Sequence, residues 1–193
     1  MPRLCSRSPQ LLSENVAIIG AGPLGRWLAL AAARTGFNVL LEDVMPANLR
    51  HAREWLREEL GSTAPPNVTF VSTIEDAVRE ADLVIDCVPD ELESKLEILW
   101  LLDRMAPPRT VLATPTTRLS IADLANCTYR PDKCVAIAAE ACELTGDAGP
   151  GSTVLLRGTA QTNRRSIVLV ERFWRKLGFS PVVEFEGVPT GLV

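Results

Sequence analysis

The sequence predicts an α/β fold: a single domain built on a doubly wound, mostly parallel β-sheet. Apolar, strand-like segments alternate with amphipathic, helix-like segments along most of the 193 residues, which is typical of consecutive βαβ units. Residues 82–88 (DLVIDCV) are apolar through most of their length, as a parallel strand covered on both faces requires. In residues 16–25 (VAIIGAGPLG), a strand pattern runs into a glycine-rich turn, and a helix pattern follows at once.

The individual elements are assigned from hydrophobic periodicity and from the residues that end them. Gly36 closes the first helix, Pro89 ends a central strand, and Pro107 stops the long helix before it. Helices are predicted over residues 23–35, 46–60, 74–80, 91–105, 120–125 and 163–177, and strands from residue 16 and over 38–44, 68–71, 82–88, 110–113, 135–139, 154–156 and 181–185. Residues 1–14 are expected to form a loose extension ahead of one domain over 15–193, with loops at 61–67 and 146–151.

The turn Gly20-x-Gly22-x-x-Gly25 has the spacing that a dinucleotide requires between a strand and a helix. Gly20 supplies the backbone freedom for a sharp turn, and Gly22 removes the β-carbon where a pyrophosphate would touch the main chain. Gly25 lets the helix pack closely on its strand, and the helix N-terminus offers free N–H groups to the phosphates. We therefore expect a Rossmann-type dinucleotide site, with Pro23 and Leu24 also in contact with the cofactor.

An acidic residue, Asp43, ends the second predicted strand, 18 residues after Gly25. A carboxylate at this distance accepts hydrogen bonds from the adenosine ribose and repels a 2′-phosphate. The next arginine is Arg50, so NAD is favoured over NADP. The neighbouring Glu42 is expected to point the other way, because side chains alternate along a strand.

Composition excludes several classes of function. The net charge of −4 disfavours nucleic acid as a partner, and no apolar run is long enough to span a membrane. The five cysteines form no CxxC pair, so no metal site is expected, and they are interpreted as incidental thiols of a cytoplasmic protein. The only histidine, His51, lies among charged residues of the second predicted helix and is expected to be solvated.

The order of these motifs resembles the NAD-binding domain of 3-hydroxyacyl-CoA dehydrogenases. The matching segments are VAIIGAGPLG, NVLLED, ADLVIDCVPDELESK, TVLATPTTRLSIADLANCTYRPDK and FWRKLGFSPV, spread over about residues 15–189. The resemblance implies NAD as the cofactor and a 3-hydroxyacyl-CoA or a related hydroxy acid as the substrate.

The resemblance also implies roles for residues beyond the glycine turn and Asp43. Asp90 and Lys95 fall where the family has residues near the nicotinamide end of the cofactor, and Thr117 where it has a serine that contacts the reacting oxygen. The cofactor is further expected to contact Val88, Pro89 and Thr114. The alternatives from the residues alone are a helix N-cap for Asp90, a solvated helix position for Lys95 and a turn position for Thr117.

Two departures from the family pattern bear on activity. In the family, a histidine at the end of the strand near residue 138 takes the hydroxyl proton, and a glutamate orients that histidine. Here the position of the histidine is Ala138, and the position of the glutamate falls near Leu155. A methyl group cannot act as a general base, and Glu140 is the nearest carboxylate that could replace the histidine. The family's C-terminal helical domain is also expected to be absent, because the sequence stops near the junction where that domain would begin.

The expected function is therefore an NAD-binding domain of the 3-hydroxyacyl-CoA dehydrogenase type with no evident base for independent turnover. The alternative is a non-catalytic module that binds or senses NAD(H) together with a partner chain; a pure interaction scaffold is disfavoured by the intact GAGPLG. Self-association or a partner chain is expected, without nucleic acid or membrane. The arginines of the last helix form a solvated face or meet the phosphates of CoA: Arg164, Arg165, Arg172 and Arg175.

Overall fold

A computed structural model describes residues 14–61, 67–139 and 151–187. The predicted extension 1–14, apart from Glu14, lies outside the described residues, as do Glu140 and the predicted loop 146–151, apart from Gly151. Glu14 is tied to the domain, because its carbonyl oxygen accepts from Asn38 N at 3.1 Å and its carboxylate pairs with Arg172.

The described strands form one eight-stranded sheet. The strands are β1 (Asn15–Ile19), β2 (Asn38–Glu42), β3 (Val68–Val71), β4 (Leu83–Asp86), β5 (Val111–Pro115), β6 (Cys134–Ile137), β7 (Thr153–Thr159) and β8 (Ser180–Glu186). Their order is β3-β2-β1-β4-β5-β6-β7-β8. All neighbours pair in parallel except β6 and β7. The predicted doubly wound, mostly parallel sheet is confirmed.

Helices cover both faces of this sheet. They are α1 (Pro23–Arg34), α2 (Pro46–Leu60), α3 (Ile74–Val78), α4 (Leu92–Met105), α5 (Ile121–Ala125) and α6 (Arg164–Lys176), with a 3-10 turn at Pro131–Lys133. On one face α1, α2 and α6 pack through side chains such as Leu28 and Phe173. On the other face α3, α4 and α5 pack through Leu99 and Leu124, so β4 and β5 between them are buried along their whole length. None of the described helices combines the length and the apolar character needed to cross a membrane.

Most observed boundaries differ from the predicted ones by one or two residues, and the end of β7 differs by three. Strands β7 and β8 run for seven residues each, because all seven pairs from Thr153–Ser180 to Thr159–Glu186 stay in register. The prediction missed the ends of these strands because polar residues there interrupt the apolar segments. Helix α3 ends two residues early, since the chain turns toward β4 and Ala81 N donates to Val78 O at 3.0 Å.

A buried ion pair joins α4 to the end of β4. The Nζ atom of Lys95 lies 2.6 Å from Asp86 Oδ1, and both side chains are inaccessible to solvent. Burial raises the pKa of Asp86, and the Lys95 ammonium opposes that rise. The Thr114 hydroxyl approaches Asp86 from β5 without completing a hydrogen bond of ordinary geometry. Because neither ion has solvent as an alternative partner, each depends on the other.

Replacing Lys95 by methionine is expected to lower the free energy of unfolding by about 3–5 kcal/mol, because Asp86 is then a buried charge without a partner. The double variant Asp86→Asn/Lys95→Met removes both charges and should recover much of that loss. Urea denaturation at neutral pH measures both values. A Lys95→Met variant as stable as the wild type would contradict the assignment.

Candidate dinucleotide-binding site

A cavity of about 870 Å³ opens at the carboxyl ends of β1, β2, β4 and β5. This is the switch point at which open α/β sheets bind ligands, and the volume lies in the upper range of ligand cavities. Five predicted cofactor residues line one side of it: Gly20, Gly22, Pro23, Leu24 and Asp43. Four more predicted residues line the other side: Val88, Pro89, Asp90 and Thr117.

The glycine turn has the geometry that the sequence predicts. Gly20 has φ of +103°, a conformation that favours glycine, and its N–H donates to Glu42 O at 2.8 Å. A β-carbon on Gly25 would lie 1.8 Å from Gly20 O, so only glycine allows this approach of α1 to β1. A β-carbon on Gly22 would meet nothing within 4 Å and would project into open space at the cavity wall. The turn therefore has room for a pyrophosphate against its main chain, at the N-terminus of α1.

Asp43 follows β2 directly and is held by hydrogen bonds. Its Oδ2 accepts from Ala21 N at 2.9 Å, and its Oδ1 accepts from Met45 N at 2.8 Å. Asn48 Nδ2 donates to both carboxylate oxygens, at 3.1 and 3.0 Å. The carboxylate thus joins the glycine turn to the start of α2, and it stays in the cavity wall beside that turn.

Glu42 differs from its sequence expectation. It was expected to point away from the site of Asp43, but it lines the same cavity and is 4% exposed. The cavity wraps over the end of the sheet, so side chains from both faces of β2 can reach it. Burial, followed by the charge of Asp43, raises the pKa of Glu42 to about 7.

The opposite end of the cavity is formed by the loops after β4 and β5. Thr117 N donates to Asp90 Oδ2 at 3.4 Å, and Arg118 Nη2 donates to Asp90 O at 2.9 Å. The Thr117 hydroxyl has no hydrogen-bond partner within the described residues and is exposed at the cavity. Asp90 does not cap α4, because Glu91 is the N-cap residue, so the helix-cap alternative for Asp90 is wrong.

Lys95 and Thr114 do not lie where the resemblance placed them. Neither lines the cavity. Lys95 is fully buried, so the solvated alternative is also wrong, and its ammonium is taken by Asp86. Thr114 is buried on β5 and faces the same carboxylate. Both residues support the cavity wall from beneath. Helix periodicity alone could not show this, because it does not reveal which strand a lysine side chain reaches.

The two positions to which the resemblance assigns a proton acceptor and its partner, 138 and 155, are neighbours in the structure. Ala138 N donates to Leu155 O at 2.8 Å, and the flanking residues Ile137 and Leu156 are partners in the antiparallel β6–β7 ladder. Opposite residues in such a ladder have side chains on the same face. Two apolar side chains, with no titratable group, therefore stand at these positions.

The other candidates from the sequence lie away from the cavity. His51 is exposed on α2, and the four arginines of α6 are exposed on the outer side of that helix. The described cysteines Cys87, Cys127 and Cys134 are free thiols; Cys5 and Cys142 lie outside the described residues. Within the described ranges no group of acidic, histidine or cysteine side chains could hold a metal ion.

Residues 15–138 match a family model described as 3-hydroxyacyl-CoA dehydrogenase, NAD binding domain. The chain belongs to this family. The matched region contains the glycine turn, Asp43 and the loops after β4 and β5, and it ends at Ala138. The cofactor of this domain is therefore NAD, and the open space at Gly22 fits its pyrophosphate.

The chain is also similar to several named dehydrogenases. The probable 3-hydroxybutyryl-CoA dehydrogenase of Bacillus subtilis is 30% identical over 135 residues, which is 63% of this chain and 47% of that protein. The 5-formyl-3-hydroxy-2-methylpyridine 4-carboxylate 5-dehydrogenase of Mesorhizobium japonicum is 29% identical over 188 residues, 91% of this chain and 59% of that protein. A crystal structure of a 3-hydroxyacyl-CoA dehydrogenase from Archaeoglobus fulgidus superposes with a TM-score of 0.75 at 29% identity, covering 90% of this chain and 57% of that one. The chain thus spans about half the length of these relatives.

Substitutions at two glycines are expected to separate binding from folding. Gly22→Val should fold normally, because a β-carbon there meets no protein atom within 4 Å, but should weaken NAD binding at least about tenfold by filling the phosphate space. Gly25→Ala should instead lower the melting temperature, because its β-carbon collides with Gly20 O. Calorimetric NAD titration and thermal denaturation of both variants measure the two effects. Normal NAD binding by Gly22→Val would contradict the pyrophosphate assignment.

Proposed function

We propose that this NAD-binding domain serves an oxidoreductase that acts on a 3-hydroxyacyl thioester or a related hydroxy acid. The described residues would hold the cofactor and the substrate oxygen, but positions 138 and 155 supply no general base. The observation that carries this proposal is the pair Ala138 and Leu155, which stand opposite each other where the family pattern has the proton acceptor and its partner.

Different residues of the chain would bind different parts of the cofactor. The main chain at Gly20 and Gly22, with the N-terminus of α1, would hold the pyrophosphate. Asp43 would accept hydrogen bonds from the adenosine ribose in place of those that Asn48 Nδ2 donates to both of its oxygens. Asp90 would lie at the nicotinamide end. When bound, NAD supplies the hydride acceptor for the reaction.

Thr117 is the residue suited to hold the substrate oxygen. Its hydroxyl is exposed at the cavity, while its N–H is already directed at Asp90. A hydroxyl can donate to a carbonyl oxygen or accept from an alcohol, so it can orient either substrate or product. Orientation alone does not remove the hydroxyl proton, because that step needs a titratable group within hydrogen-bond reach. Neither Ala138 nor Leu155 supplies such a group, so the proton acceptor would come from another position; Glu140 is one candidate in this chain, and a partner chain is another source.

The cofactor part of the proposal is tested by calorimetry. NAD and NADH should bind to the wild-type chain, and NADP should bind at least about tenfold more weakly, because a 2′-phosphate would face the Asp43 carboxylate. Asp43→Asn should reduce the ratio of NAD to NADP affinity while Asn48→Ala, which removes only a hydrogen-bond donor to Asp43, should not. An unchanged ratio for Asp43→Asn would refute the ribose assignment.

The chemical part is tested by following reduced-nicotinamide absorbance with short 3-hydroxyacyl-CoA substrates. The wild-type chain is expected to bind NAD without turnover, and the double variant Ala138→His/Leu155→Glu to gain turnover, because the two new side chains would be ladder neighbours. The single variant Ala138→His is the matched control and should gain less. Turnover by the wild type would overturn the missing-base proposal, and its loss in Glu140→Gln would then identify Glu140 as the base. If the wild type and all of these variants bind NAD and none of them turns over substrate, the result would support a module that only binds or senses NAD(H).

We further propose a cytoplasmic setting and self-association or a partner chain. Free thiols at three described cysteines support a reducing compartment. Leu92 and Trp100, two turns apart on α4, are 49% and 47% exposed, which supports a contact surface there. A chain that sediments as a monomer at all concentrations, alone and with NAD, would contradict self-association.

A further inference from the structure

Glu42 is a buried carboxyl with an unused hydrogen-bonding capacity. Its main-chain oxygen accepts from Gly20 N, but its carboxyl group has no hydrogen-bond partner within the described residues. The carboxyl oxygens are accessible at the cavity surface rather than sealed in the interior. Because Glu42 forms part of the cavity wall, a ligand in the cavity can provide that partner.

The surroundings of Glu42 indicate which part of a ligand it meets. Four apolar side chains line the cavity together with it: Ile19, Ile74, Val88 and Ile98. Asp43, the next residue, is the candidate for the adenosine ribose, so the base attached to that ribose would lie on the same side of the glycine turn. Apolar walls with one polar group at their edge suit a flat aromatic base with a hydrogen-bonding rim.

The protonation state of Glu42 is set by burial and by one charged neighbour. Burial raises its pKa to about 7, and Asp43 is the only charge that contributes to the rise. Neither β1 nor β3, which flank β2, carries an ionisable side chain near it. Other ionisable groups on surrounding elements include Arg26 of α1, Glu75, Asp76 and Arg79 of α3, Asp86 at the end of β4, Asp90 after it, and Lys95 of α4. Below neutral pH the group is therefore a carboxylic acid, with one O–H donor and one carbonyl acceptor side by side.

We propose that the Glu42 carboxyl, in its neutral form, hydrogen-bonds the edge of the adenine base of NAD. Adenine presents an exocyclic N–H donor next to a ring-nitrogen acceptor, and a carboxylic acid presents the complementary pair. A carboxylate has no donor and would leave the ring nitrogen facing a negative charge. Glu42 thereby contributes to base selection, and it couples cofactor binding to uptake of one proton. The inference rests on the proposed binding of NAD in this cavity.

The sign of the pH effect follows from this coupling. Below about pH 7 the carboxyl is already protonated, so affinity for NAD is independent of pH there. Above about pH 7 the proton must be taken up on binding, so affinity falls by up to about tenfold for each pH unit. NAD carries no group that titrates near neutrality. His51 is the chain's only histidine, so His51→Ala is the control for any unrelated titration.

The test is calorimetric titration of the full chain with NAD and with ADP-ribose from pH 6 to pH 9, in buffers of different ionisation enthalpy. Wild type and His51→Ala should bind with pH-dependent affinity and take up close to one proton at pH 8. Glu42→Gln, whose amide offers a donor and an acceptor at every pH, should keep the low-pH affinity, lose the pH dependence and take up no proton. Glu42→Met, of similar size without hydrogen bonds, should bind about tenfold more weakly at pH 6. Nicotinamide mononucleotide, which has no adenine, should show none of these differences.

The outcomes separate this inference from the proposed function. Tight NAD binding with no proton uptake, or a Glu42→Met variant that binds as well as the wild type, would overturn the role of Glu42 and leave the NAD site intact. Absence of NAD binding to the wild type would overturn both. Thermal denaturation of each variant without ligand shows whether it is folded, and Glu42→Gln, being nearly isosteric, keeps the test decisive if Glu42→Met is unstable.

Discussion

The contact between Gly20 and Gly25 is the constraint on which the site depends. With no side chain at residue 25, α1 starts close enough to β1 that a β-carbon there would collide with Gly20 O. The turn is also held from both sides: Gly20 N bonds to β2 through Glu42 O, and Cys87 N bonds to Ile19 O from β4. A helix N-terminus is thus fixed over the middle of the sheet, where its N–H groups face the cavity.

The far wall of the cavity depends on a second, chemically different constraint. Lys95 and Asp86 pair in the interior, and this fixes the first turns of α4 beneath the loop that carries Asp90. Arg118 then bonds to Asp90 O and ties that loop to the one after β5. The turn on one side is set by the absence of a side chain and the wall on the other by a buried charge pair. Two side chains that never touch the cavity, Lys95 and Thr114, therefore shape it.

The fold and the glycine turn could be predicted because they depend on local patterns. Strand and helix periodicity, and the spacing of three glycines, are properties of adjacent residues. The positions that prediction misplaced depend on distant partners. The position of Lys95 on its helix predicts a solvated side chain. Only the tertiary structure shows that Asp86, at the end of β4, is its partner. Alternation predicts that Glu42 and Asp43 point to opposite sides, but both line the cavity, and only the tertiary structure shows that.

Glu42 and Asp43 show how two adjacent carboxyls acquire different chemistry. Asp43 is saturated by donors from three residues, Ala21, Met45 and Asn48, which hold its oxygens as acceptors beside the turn. Glu42 receives no such donors within the described residues, and burial raises its pKa to about 7, so the neutral acid predominates below that pH. Two charged carboxylates here would repel an anionic pyrophosphate more strongly than one does. A neutral Glu42 reduces that repulsion, and at the same time it gains the O–H donor that a charged carboxylate lacks.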